Sequence, residues 1–164
     1  MKEKSILIIS IVTSIVLFLL AAKKNIRRST VVLFFVQSYA WISGLIVAEF
    51  NLIKYPKKLI FKKSYKGSFE FEHIVFPVYC VMFNRFYPHM KNGFIKSSYY
   101  AGFTSFIILL EAYALKKTRS IKLIHWKLWI SALTISATFY CSIAFEKWVF
   151  KPFDKAKNKS ISSS

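Results

Sequence analysis

The sequence predicts an all-α integral membrane protein, a bundle of about five transmembrane helices. Three observations carry that expectation. Apolar residues make up 55% of the 164 residues, with 17 phenylalanines and a mean hydropathy of +0.40. A soluble domain usually holds about 45–50% apolar residues, spread periodically along its elements; here they come in blocks. The 25 Lys and Arg sit almost entirely between those blocks and at the termini. Trp126, Lys127 and Trp129 form an aromatic and cationic belt just where one block begins, the composition favoured at a membrane–water interface.

The charge balance narrows the partners. A formal net charge of +18 in a soluble chain would point to nucleic acid. No recognition motif accompanies the charge, however, and lysines at helix ends suit anionic headgroups, at about 1 kcal/mol each near the surface. The expected partners are the lipid bilayer and its anionic lipid headgroups, not nucleic acid.

The first block, Ser5–Ala22, is uninterrupted by charge. Its length approaches the ~20 residues that cross a hydrocarbon core. Lys2 and Lys4 ahead of it also fit a signal peptide. The long apolar region and the poor cleavage site at Ala21-Ala22-Lys23 favour a retained helix. The second block, Thr30–Ile53, follows the basic turn Lys23, Lys24, Arg27, Arg28 and ends near Glu49. Ala40, Gly44 and Ala48 lie four apart, the spacing that lets helix backbones approach closely. Pro56 is expected to close this helix, because the residue before a proline avoids helical angles.

A basic and aromatic stretch, Lys54–His73, follows and reads as a loop or a surface-lying segment. The third block, Ile74–Tyr87, is short. It reaches spanning length only by drawing in Phe69–His73, and Pro77 deprives the carbonyl of His73 of its helical donor. A kinked span is the expectation. The fourth and fifth blocks are Ser97–Leu115 and Leu128–Phe150. The expected spans are therefore 5–22, 30–53, 72–87, 97–115 and 128–150, forming one unit over 1–150. The Lys- and Ser-rich tail over 151–164 lacks apolar periodicity and is expected to be disordered. Cys80 and Cys141 fall at different depths, so they read as two buried thiols rather than a disulfide.

The run Phe76-Pro77-Val78-Tyr79-Cys80-Val81 is followed by Asn84, Glu111, Ile121-Lys122 and His125-Trp126. In these residues and in helix order, from about Trp41 to Phe150, the chain resembles a family of small, about five-span membrane proteins from spore-forming Gram-positive bacteria, labelled by a clostridial locus tag. The His125-Trp126 signature is the most specific part. The lysine-rich insert Lys54–Lys66 is heavier than the family pattern. The resemblance implies a multi-pass protein of the bacterial cell membrane, with a link to sporulation or germination. The family has no assigned activity, so no catalytic or ligand role carries over.

Five spans give two faces. Face A holds the N-terminus and the second and fourth loops; face B holds the first and third loops and the C-terminus. The 25 Lys and Arg divide as 13 on face A and 12 on face B. The basic flank Lys23, Lys24, Arg27 and Arg28 behind the first helix leans face B towards the cytoplasm.

Glu49, Glu72, His73, Glu111 and His125 all fall on face A. Ionisable groups inside a span cost about 2.5–3.5 kcal/mol on insertion scales and so seek partners. These five are the candidate intramembrane polar cluster, with Glu111 expected to meet His73, His125 or Tyr113. On face B, Arg85 and Glu146 are a candidate ion pair. His73, Pro77, Cys80 and Asn84 share one helix face, as do Ser97, Thr104 and Glu111, and then Ser131 and Thr138. Each Ser or Thr in these blocks is most simply explained by bonding back to its own helix.

No cofactor or metal is expected: carboxylate and imidazole suit zinc, but the spacing is unspecific. No catalytic site is expected either, because no Ser–His or Cys–His pair comes with an orienting third group. Two functions remain. One is a structural or accessory protein that acts through membrane-protein partners or a homo-oligomer. The other is a small carrier or channel with a polar path lined by Glu111, His73 and Asn84. A dry, well-packed interior favours the first.

Overall fold

A computed structural model describes residues 2–23, 25–54, 71–117, 122–124 and 126–162. Among these the chain is helical, with five α-helices: α1 (Lys2–Ala22), α2 (Ile26–Glu49), α3 (Phe76–Phe86), α4 (Gly93–Lys117) and α5 (Leu128–Ser162). The expected surface segment between the second and third blocks lies almost wholly outside the described residues. The all-α expectation made no allowance for strands. A two-residue pair is nonetheless present, β1 (Ile53–Lys54) antiparallel to β2 (Lys122–Leu123). The Ile124 amide extends this pair by donating to the Leu52 carbonyl at 3.0 Å. It ties the end of α2 to the start of α5, which places both on one face.

The boundaries differ from expectation where capping chemistry decides them. α2 starts four residues early because Asn25 caps it, accepting from the Arg28 amide at 3.4 Å. A side-chain oxygen at this position satisfies one of the donors that a helix start leaves free. The same helix stops well before Pro56. Asn51 adopts a left-handed φ of 51°, one of the few non-glycine residues that does so cheaply. The Leu52 amide then bonds the Val47 carbonyl at 3.0 Å and the Asn51 amide bonds that of Ala48 at 3.2 Å. This crossed pair closes the last turn. α4 likewise starts early, with Asn92 accepting from the Ile95 amide at 3.1 Å.

The tail is the clearest correction. The disorder expected over 151–164 gives way to helix, and α5 continues through Pro152 to Ser162. Asp154 is bound to Arg28, which anchors the first turn beyond the apolar block.

The third block changes helical form near its start. A π-helical turn, Phe71–Val75, leads into α3, and Pro77 takes a first-turn position where its missing N–H costs nothing. The Gln37 side-chain amide on α2 donates to the His73 carbonyl at 3.1 Å. The acceptor that proline leaves open is thus filled by a neighbouring helix.

α3 is the centre of the assembly. It packs against α1, α2 and α5, and α4 packs against α5. Its Phe76, Pro77, Val78, Cys80, Val81, Phe83 and Asn84 are all buried. Phe83 stacks on Phe139 with centroids 4.1 Å apart, and Tyr99, Tyr100 and Phe103 of α4 surround Phe83 at 4.9–5.3 Å. The Tyr79 and Tyr99 hydroxyls donate to the carbonyls of Phe103 and Phe83 at 3.1 and 3.0 Å, joining α3 to α4. Phe35 stacks on Phe145 at 4.0 Å, joining α2 to α5.

Candidate functional site

The buried polar groups form three separate sites rather than one cluster. The first is on face A. Glu111, half-buried on α4, accepts from the Ser131 hydroxyl at 3.0 Å, and the Trp126 indole N–H donates to that hydroxyl at 2.8 Å. The carboxylate that was expected to meet an imidazole or Tyr113 is therefore met by a hydroxyl from α5. Ser131 stands at the first turn of α5, where its side chain faces α4. Trp126 precedes the helix by two residues, close enough for its ring to reach back. Tyr113 is exposed.

Of the other members of the expected group, Glu49 and His73 take no part in this chain of bonds. Glu49 is exposed at the end of α2. His73 lies in the π-helical turn, its carbonyl held by Gln37. The side chain of Glu72 and the whole of His125 lie outside the described residues. Among the described residues no group of three His, Cys, Asp or Glu side chains is placed to hold a metal ion.

The second site is at the C-terminal end of α3. The Asn84 amide nitrogen donates to the Cys80 carbonyl at 2.9 Å and to the Ser142 hydroxyl at 2.7 Å, and Ser142 donates to the Phe139 carbonyl at 2.8 Å. Because a backbone carbonyl only accepts, the contact with Cys80 fixes which amide atom is nitrogen. The amide oxygen is buried with no donor among the described residues. Thr104 and Ser136 pair hydroxyls at 3.1 Å between α4 and α5, while Thr134 and Thr138 bond back to their own helix at 2.8–3.0 Å. Asn84, Thr104, Ser131 and Thr138 are all buried; Ser97 of the same expected stripe is exposed. Cys80 and Cys141 are free thiols.

The third site, on face B, corrects the expected Arg85–Glu146 pair. Glu146 is bound by Arg28 at 3.4 Å, and Arg28 also binds Asp154. The Arg28 guanidinium lies over the Phe150 ring, 4.7 Å from its centroid. Two features hid Arg28 from sequence reasoning. It sits in the basic turn before the apolar block, and the Asn25 cap that draws it into α2 is visible only as a capping residue. Beside this network, His89 stands in the turn between α3 and α4, its ring edge-on to Tyr87 at 4.8 Å. Partial burial, then Lys147, Lys96 and Arg28, hold its imidazole below the ordinary histidine value.

No family model, curated protein or solved structure matches the chain.

Proposed function

We propose that the chain is a multi-pass protein of the bacterial cell membrane, with its five helices crossing the bilayer. We also propose that it acts as a structural or accessory component through helix contacts, without catalysis. One observation carries the membrane part. The outward faces of the helices are as apolar as the interior: Ile9, Leu19, Leu109 and Leu133 are each more than half exposed. Helices that are apolar all round belong in a large core or in a bilayer, and a contiguous apolar surface of this extent is not left to water. α2 and the stretch Leu128–Asp154 of α5 are long and apolar enough to cross a membrane, and Ile8–Ala22 of α1 is a shorter apolar helix.

Interior packing favours the structural role over the carrier. Between His73 and Asn84, α3 presents Phe76, Pro77, Cys80, Val81 and Phe83, all buried, and Phe139 is stacked on Phe83. Aromatic rings thus occupy the space that a polar path from Glu111 and His73 to Asn84 requires. The resemblance drawn from the sequence extends the proposal to sporulation or germination. Two measurements test it. The full chain should stay with membranes through an alkaline carbonate wash. Deleting the gene should alter spore yield or germination while leaving ion sensitivity unchanged. Release by carbonate, or a deletion defect confined to ion sensitivity, overturns it.

A further inference from the structure

Face B carries twelve Lys and Arg against only two carboxylates, Glu146 and Asp154. Arg28 binds both. Among the described side chains no salt bridge holds the remaining cations of that face, although Lys147 also lies in the field of its neighbour Glu146. They come from separate elements: Lys91 lies in the turn between α3 and α4, Lys96 in the first turn of α4, and Lys147 and Lys151 on α5. The depressed titration of His89 reflects this crowding, since after partial burial its causes are Lys147, Lys96 and Arg28.

Bare apolar side chains alternate with these lysines. Met90 is 96% exposed at the turn, Phe94 is 80% exposed beside Lys96, and Trp148 is 73% exposed beside Lys147. A water-borne polyanion such as nucleic acid would neutralise the cations but leave these three in water. A phospholipid surface takes both: apolar groups enter the boundary of the acyl chains, while lysine stems extend to the phosphates.

We infer that face B, around the turn 87–92, is a docking surface for the phosphate headgroups of an anionic lipid leaflet. The inference rests on the multi-pass reading above. It assigns that leaflet to face B and names Lys91, Lys96 and Lys147 as the headgroup contacts.

The test uses the full chain with Trp148 as its sole tryptophan (Trp41→Phe, Trp126→Phe, Trp129→Phe). It is reconstituted in vesicles of phosphatidylcholine and phosphatidylglycerol, with acyl chains brominated on one lipid at a time. Brominated phosphatidylglycerol should quench Trp148 as though enriched roughly fivefold or more around it. Adding Lys91→Gln, Lys96→Gln and Lys147→Gln should make the two lipids equivalent. Native mass spectrometry of the unsubstituted chain gives the second reading, with phosphatidylglycerol retained through delipidation in preference to phosphatidylcholine. Equal quenching by both lipids, an unchanged preference in the triple lysine variant, or loss of the preference to added RNA overturns the docking surface. Quenching by neither lipid overturns the multi-pass reading instead.

Discussion

α3 and α1 differ in a way that a water-soluble protein would reverse. α3 has 11 residues, carries Asn84 and Arg85, and is the most enclosed helix. α1 has 21 residues with no charge between Ser5 and Ala22, yet Leu19 and Leu20 are each 62% exposed. Asn84 is 6% exposed and Ser142 is fully buried. In this molecule hydrophobicity alone does not mark the inside. When the surroundings are as apolar as the core, burying leucine gains little. Helices then associate through close packing and interhelical hydrogen bonds. α3 has both kinds of contact; α1 presents mainly aliphatic side chains outwards.

The largest expected effect breaks the packing half of that contrast. Phe139→Ala should cost about 3 kcal/mol in reversible unfolding from mixed micelles, at the low end of the range for buried aromatics. On the proposed membrane reading the low end applies, because lipid rather than water is then the reference for the exposed ring. Leu19→Ala on α1 should stay within about 0.5 kcal/mol. Equal costs at the two sites would erase the distinction between α3 and α1.

The ion network comes next. Arg28→Ala leaves the mostly buried carboxylate of Glu146 without its cation, and should cost about 1–3 kcal/mol in the same assay. Adding Glu146→Gln should recover part of that loss, while Arg85→Ala should leave stability nearly unchanged. A larger loss for Arg85→Ala than for Arg28→Ala would restore the pair that the sequence favoured.

Much of this arrangement was legible in the sequence. The number and order of the helices follow from blocks of apolar residues, and Pro77 alone exposes the His73 carbonyl as an acceptor in need of a donor. Periodicity also placed Cys80, Asn84, Thr104, Ser131 and Thr138 on shared faces, because helical spacing is a local property. The partners were not legible. Gln37 as the donor to His73, Ser131 as the donor to Glu111 and Arg28 as the cation for Glu146 all depend on the rotation and axial offset between helices. A block of apolar residues does not encode that offset. Capping decided it at Asn25 and Asn51, each by shifting a boundary several residues. The helical tail was missed because the support visible among the described side chains, Arg28 with Asp154, is a tertiary contact and not a local pattern.

A smaller effect follows from the π-helical turn that leads into α3. Gln37→Leu keeps the volume but removes the donor, so the His73 carbonyl loses its interhelical bond at about 0.6–2 kcal/mol. Gln37→Glu should do no better, since a carboxylate does not donate. Full stability in both variants would mean that this turn is maintained without the bond from Gln37.

The smallest effect is a titration. His89 faces Lys96 of α4, Lys147 of α5 and Arg28 of α2, with Tyr87, just past α3, against its ring. Its imidazole should therefore be neutral near pH 7 and take up its proton only below the usual pKa of about 6.5. Anions gathered on face B favour the imidazolium, so phosphatidylglycerol should raise that pKa relative to phosphatidylcholine vesicles, as read by NMR of the labelled ring. An identical titration in both lipids would argue that no headgroup comes near the turn.

The central claim is that these helices cross a bilayer, and an odd number of crossings places the two termini on opposite sides. Single cysteines at Lys2 and Ser164, in a background with Cys80→Ala and Cys141→Ala, test this with a membrane-impermeant maleimide on intact cells. The account predicts that Lys2→Cys is labelled from outside and that Ser164→Cys is labelled only after the cells are opened. Labelling of both from outside, or of neither until lysis, would contradict it.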